Sequence, residues 1–220
     1  MKISKRTLDI LKNFSTINQN ILLKEGNVID TVSICQNIIA KAVVEENFPV
    51  ECGIYNLNSF LSVISLFDDP SFEFGDKSVH ISDKNSHVTY VYANTKNIVS
   101  FNKKIKLPDQ LVSFKLDEGN LQKVLKASDS MELPDIVVTG NGEVVKLVCV
   151  DRKNPSSNNY SIELTSKTDK EFNYVFKREY LKLMNGSYTI DVHALDEKKA
   201  MGHFKHMNDL SYYIMVNYEE

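Results

Sequence analysis

Ser4-Lys5-Arg6-Thr7-Leu8-Asp9-Ile10-Leu11-Lys12-Asn13-Phe14-Ser15-Thr16-Ile17 opens the chain on a helical period, and the stretch from Asp117 to Ser128 returns to it. In the first, Leu8, Ile10, Leu11 and Phe14 gather on one side of a helix, and Lys5, Asp9 and Lys12 fall on the other. Ser4 is its natural N-cap. In the second, Asp117 caps a helix predicted over 118–128, with Leu121, Val124 and Leu125 on one face and Lys123 and Lys126 on the other. Ile10-Leu11-Lys12 superposes on Val124-Leu125-Lys126 at an offset of 114, and Phe60-Leu61 on Tyr180-Leu181 at an offset of 120. Two such returns, in order and at nearly constant spacing, point to a duplicated domain.

The segments between the helices read as β-structure. Residues 21–29 form strand, Gly26 turn, strand, and further strands are expected at 39–45, 50–55, 72–74, 78–82 and 87–92. An almost uncharged helix is expected over 57–66. In the second half, 135–150 is a hairpin turning at Asn141-Gly142. Strands near 160–165 and 172–176, a short helix from Lys177 to Met184, and strands near 187–193, 199–206 and 211–217 complete the pattern. Residues 94–113 are basic and irregular, broken by Pro108, and read as a connector. The expected division is therefore 1–110, with the connector at about 94–110, and 111–220. The fold class is α+β: two similar domains, each with two helices backed by antiparallel sheet.

The chain has 220 residues, 42% hydrophobic and 25% charged, the composition of a globular protein with a real core. No apolar run approaches a membrane span, and the charged start Met1-Lys2-Ile3-Ser4-Lys5-Arg6 lacks the run that a signal peptide needs. Cys35, Cys52 and Cys149 have neither metal-ligand spacing nor an even count, so reduced and mostly buried thiols are expected. A net charge of −3 excludes a protein coated in positive charge, but leaves room for a local basic surface.

Several stretches resemble the sliding clamp of T-even-type bacteriophages, the polymerase accessory protein. They are Met1-Lys2-Ile3-Ser4-Lys5, Leu11-Lys12-Asn13-Phe14-Ser15-Thr16-Ile17-Asn18, Ile21-Leu22-Leu23-Lys24-Glu25-Gly26 and the run from Ile54 to Leu66. More loosely, Asn120-Leu121-Gln122-Lys123-Val124-Leu125-Lys126 and Phe172-Asn173-Tyr174-Val175-Phe176 extend the likeness to the second half. The 30–50 region and the lysine-rich connector depart from it. The resemblance implies two processivity-fold domains per subunit and a homotrimer closed into a ring around duplex DNA. It also implies a DNA polymerase as client, a separate clamp-loader ATPase, and work in the cytoplasm of an infected bacterium. Some members of the family also act as late-transcription coactivators, reaching host RNA polymerase through phage factors.

Lys5, Lys12, Lys123 and Lys126 are the first candidates for DNA phosphates, because the same basic face recurs in both halves. Lys2, Arg6, Lys177, Arg178 and Lys182 rank below them. An isolated lysine on a helix is usually only solvated; repetition and a common axis are what argue for more. Clamps of this fold offer clients an apolar groove near the connector. Val99, Phe101, Ile105 and Leu107, with Tyr212, Tyr213 and Ile214, are candidates for it, each equally readable as core.

No catalytic constellation, metal site or cofactor is expected. Cys52 lies in an apolar strand, His203 and His206 fall on opposite faces of one strand, and Gly140-Asn141-Gly142 lacks the continuation of a nucleotide loop. The competing readings are a β-rich interaction scaffold that does not encircle DNA and, more remotely, a hydrolase.

Overall fold

Helix α1 (Lys5–Ile17) starts where Ser4, extended at φ −67° and ψ 154°, accepts the Thr7 N–H on its hydroxyl at 3.2 Å. Its buried face of Thr7, Ile10, Leu11, Phe14, Ser15 and Ile17 rests on strands β2 (Gly26–Val32) and β3 (Ile38–Phe48), which follow the short β1 (Ile21–Leu23). From Ala40 onward strand β3 alternates strictly, so that Ala42, Val44, Glu46 and Phe48 point inward while Lys41, Val43, Glu45 and Asn47 face out. Glu46 is thus a carboxylate at a core position. It accepts the Ser4 N–H on one oxygen and the Thr7 hydroxyl, at 2.5 Å, on the other, tying the first turn of α1 to β3. Burial pushes its carboxyl up, yet the bonds from Thr7 and Ser4 outweigh burial and hold it below the ordinary glutamate range.

The structure, a computed structural model, describes residues 1–196 and 199–218. It falls into two units, Met1–Lys103 and Lys104–Glu220. The first continues through β4 (Cys52–Ile54), helix α2 (Leu57–Ile64) and a meander of β5 (Ser71–Phe74), β6 (Ser78–Ser82) and β7 (His87–Val91). Within it β1 pairs with β4 and β2 with β3, all antiparallel. Residues 21–29 are therefore two strands with different partners, not one hairpin.

The second unit contains β8 (Gln110–Leu116), α3 (Glu118–Ser130), β9 (Asp135–Asn141), β10 (Val144–Val150), β11 (Tyr160–Lys167) and β12 (Glu171–Lys177). It ends with β13 (Tyr188–Ala194), β14 (Lys199–His206) and β15 (Leu210–Tyr218). These strands lie in the order β11-β10-β9-β12-β15-β14-β13-β8, each antiparallel to its neighbour. The β9–β10 turn closes at Gly142, whose φ of 83° suits glycine, while the Asn141 side chain accepts the N–H groups of Glu143 and Val144. Helix α3 buries Leu121, Val124 and Ser128 over β9, β10 and β11.

The duplication extends to strand pairing. In each unit the first strand after the long helix pairs with the fourth (β1 with β4, β9 with β12), the second pairs with the third, and a meander follows. Strand β8 pairs with β13 ahead of α3; ahead of α1, Met1 exchanges two backbone hydrogen bonds with Phe72 of β5, at 2.6 and 2.8 Å. The duplication also has a defect. No second helix forms over 177–184, where only a 3-10 turn, Arg178–Tyr180, is present. Asn56 caps α2 by accepting the Ser59 N–H, but the equivalent Lys177 offers no side-chain acceptor and its amine is bound to Asp135.

The connector is also shorter than expected. Residues 110–116 are strand β8, and the units divide after Lys103, because the backbone from Pro108 onward is bound within the second unit. The Pro108 carbonyl accepts from His193 Nδ1 at 2.9 Å, and Gln110 pairs with His193.

The Glu46 contact carries a testable consequence. Replacing Glu46 with Gln should lower the stability of the parent at pH 7 by about 1–3 kcal/mol, read from urea unfolding. Because the folded-state carboxyl titrates below its unfolded value, near ~4.3, the stabilisation is complete above that value. It is lost as pH falls through the lower folded-state value, so the gap between parent and variant should close on acidification below about pH 4. A gap that stays constant from pH 7 to pH 3 would remove Glu46 from this role.

Candidate nucleic-acid interface

Burying the apolar stripe of α1 leaves Lys5, Asp9, Lys12 and Thr16 as its exposed line. On α3 the exposed positions include Gln122, Lys123 and Lys126. Among the described residues no carboxylate forms an ion pair with Lys5, Lys12, Lys123 or Lys126, so none of the four is tied into local structure by one. The acidic ends of α3 are managed separately. Glu118 lies in the first turn, where a negative charge suits the helix dipole, and Asp129 in the last is paired with Arg178 at 2.7 Å. The middle of α3 is therefore left positive.

The lower-ranked candidates behave differently. Lys2 is paired with Asp69 at 2.7 Å, and Arg6 Nη1 donates to the Val43 carbonyl at 3.1 Å. Lys177 is held at 2.5 Å by the buried carboxylate of Asp135, directly across the β9–β12 ladder. Arg178 is bound to Asp129, and Lys182 is half-buried beside the 3-10 turn. Lys2, Arg6, Lys177 and Arg178 are thus engaged in local structure, whereas the four helical lysines are exposed.

The sequence reading missed the outer face of α2, because it carries no charge. Asn58, Ser59, Ser62 and Ser65 are exposed there, and α2 lies beside α1. A groove of about 460 Å³ runs between the two helices, bordered by Lys12 and Asp9 on one side and Asn58, Ser62 and Ser65 on the other. Small polar residues recurring at three- and four-residue spacing were the available signal. In the second unit the chain after the 3-10 turn takes that place beside α3: Gln122 Nε2 donates to Asn185 Oδ1, and the Glu118 N–H to Ser187 Oγ.

The apolar candidates separate as well. In the first unit Val99 is 38% exposed, with its N–H bound to Asn20, and half-buried Phe101 offers its carbonyl to Lys24 Nζ at 3.0 Å. In the second, Leu107 is 37% exposed and Ile105 half-buried. Tyr212 and Ile214 have no exposed surface and cannot line a groove. They point into the core in the alternation of β15, while Tyr213 points the other way and stacks on His203. Of the thiols, Cys35 is exposed, and burial holds Cys52 up at about 12, far from a nucleophile's range. Among the described residues no helix is long and apolar enough to cross a membrane.

Comparison with known proteins covers nearly the whole chain. Residues 2–100 match the family described as DNA polymerase processivity factor, and residues 113–217 match the C-terminal domain of the gp45 sliding clamp. The sliding clamp of Vibrio phage KVP40 is 31% identical over 92% of this chain and 95% of its own length. That of Escherichia phage RB69 is 31% identical over 91% and 90%. In three dimensions the chain is similar to A. fulgidus PCNA bound to the C-terminal region of FEN-1, with a TM-score of 0.68 at 11% identity, covering 97% of this chain and 95% of that one. It is also similar to the H. pylori beta clamp, with a TM-score of 0.65 at 14% identity over 95% and 63%.

The two classes of cation should separate in stability measurements. Lys5, Lys12, Lys123 and Lys126 changed singly to Ala should each shift unfolding by no more than about 0.5 kcal/mol. Lys177→Met strands the Asp135 carboxylate, whose side chain is 3% exposed, and should cost about 2–3 kcal/mol, less than in a fully buried pair because Lys177 is partly solvated. Equal effects in the two classes would contradict the assignment.

Proposed function

The chain belongs to the sliding-clamp family, the DNA polymerase processivity factors, and from that premise we propose that three copies close head to tail into a ring around duplex DNA. Its role is to tether the replicative polymerase to its template. The observation that supports encirclement is the repeated feature: one helix in each unit presents exposed lysines outside any ion pair, Lys5 and Lys12 in the first and Lys123 and Lys126 in the second. Exposed amines on solvated helices meet phosphates without reading bases, which a protein that must slide requires. The ring acts by topology and not by chemistry. A separate loader ATPase opens it, since Gly140-Asn141-Gly142 is a hairpin turn and not a nucleotide loop. It works where phage DNA is copied, in the cytoplasm of the infected host, and the same sliding ring suits a coactivator of late transcription.

Closure needs two complementary edges, and each unit can supply one. Strand β7 is the last of its meander, and among the described residues β11 forms a ladder only with β10. The Tyr92 N–H donates to the Lys77 carbonyl and the Asp83 N–H to the Ser86 carbonyl, which fixes the alternation along β7. Val88 and Tyr90 bond toward β6, and His87, Thr89 and Val91 turn their backbone groups to the free side. Pairing of that edge with β11 of the next copy makes a heterologous joint, which closes when the rotation allows.

Sedimentation at micromolar concentration should show the parent near three times 25.1 kDa. Thr89→Pro, which removes one outward N–H from an edge strand, should leave a folded monomer. A parent that stays monomeric, or a proline variant that assembles normally, would rule out this joint. For DNA, changing Lys5, Lys12, Lys123 and Lys126 together to Ala removes about twelve charges from a three-copy channel and leaves the apolar faces intact. Retention on nicked circular DNA should fall, with a shallower dependence on salt. Rings of this variant that support processive synthesis like the parent, at the same salt dependence, would show that these helices do not line the channel.

A further inference from the structure

The sheet of the second unit has a face turned away from its core, and a row of polar side chains crosses it. Ser113 on β8 lies opposite Asp191 on β13, Asp191 opposite His203 on β14, and His203 opposite Tyr213 on β15. Two residues along β13, and so on the same face, stands His193. From Asp191, His193 and His203 one ligand atom each can be chosen such that all three lie within 4.8 Å of one another.

Asp191 and His193 are only 5% and 6% exposed. Both are already oriented by neighbours. The Ser113 hydroxyl donates to Asp191 at 2.6 Å, and His193 Nδ1 lies 2.9 Å from the Pro108 carbonyl. A carbonyl can only accept, so Nδ1 of His193 carries a proton, and in the neutral ring Nε2 is then a bare lone pair. That Nε2 is buried with no hydrogen-bond partner, and so is Nε2 of His203. Two buried imidazole nitrogens without partners on one face, beside an oriented carboxylate, need something to satisfy them.

We propose that Asp191, His193 and His203 form a binding site for a divalent transition-metal ion of the zinc class. The donor set, two imidazoles and a carboxylate with the fourth position open, is one that zinc and cobalt accept. The bonds from Ser113 and Pro108 are the outer support that such ligands ordinarily carry. Bonds of about 2.0–2.1 Å in a tetrahedron separate ligand atoms by about 3.3 Å, so the rings close inward slightly on loading. Lys205 pairs with Asp191 at 2.5 Å and competes for the carboxylate. A bound ion would fix His193, and through it Pro108 at the approach to β8.

The test is equilibrium dialysis of the chelator-stripped full chain against Co²⁺ and Zn²⁺ salts, with the cobalt form read by its visible d–d absorption. The expected result is one ion per chain with the intense absorption of low-coordinate cobalt. His193→Gln and His203→Gln should each weaken binding by at least about tenfold, while His206→Gln, whose ring packs against Tyr188, should bind as the parent does. Lys205→Met should bind more tightly. Should a histidine variant fail to fold, ring-nitrogen NMR of the parent decides, because zinc must shift Nε2 of both His193 and His203. A parent that takes up no ion at micromolar metal, histidine variants that bind as the parent does, or unshifted Nε2 resonances would overturn the site and leave a bridging water as the partner of the two rings.

Discussion

The apolar stripe of α1 has to leave water, and that single requirement decides where the lysines stand. Ile10, Leu11 and Phe14 are each at most 1% exposed, and burying side chains of this size is worth about 1.5–3 kcal/mol apiece. An exposed lysine–phosphate contact is worth about 1 kcal/mol or less. The core therefore fixes the rotation of the helix, and the charged face follows without being selected for position. Glu46 completes the arrangement from the sheet side, holding the first turn by the Ser4 N–H and the Thr7 hydroxyl. The same logic governs α3, whose Leu121 and Val124 are buried and whose Lys123 and Lys126 point away.

The two units keep the same plan at different resolution. The first has two α-helices side by side, one basic and one lined with asparagine and serine. The second has one, and where its second helix would begin, the lysine at the cap position is committed to Asp135. The cations near the missing helix, Lys177 and Arg178, are spent on Asp135 and Asp129. The positive charge beside α3 is consequently that of the helix itself, at Lys123 and Lys126.

Much of this was legible in the sequence because it depends on period. The faces of the two long helices and the Asn141-Gly142 turn are local patterns, and they appear in the structure near where the residues put them. What was not legible depends on partners far along the chain. Helical spacing over 177–184 was genuine, but the capping acceptor was absent and Lys177 had a distant partner. Residues 110–113 read as connector because their strand character is set by β13, some eighty residues away. Tyr212 and Ile214 read equally as groove or as core until the pairing of β15 assigned them inward, and Asp191, His193 and His203 meet only because two neighbouring strands bring them together.

The outward N–H and C=O groups of Thr89 and its neighbours on β7 belong to the backbone, which every sequence shares. A joint made from them carries little information about which protein supplies the other edge. A relative as far removed as the sliding clamp of Vibrio phage KVP40, at 31% identity, has a main chain of the same N–H and C=O groups. Discrimination between kin must then fall on the few side chains that flank it, His87, Thr89 and Val91. Were the proposed joint offered two related chains, the purity of the assembly would turn on such side chains and on those of β11 opposite them.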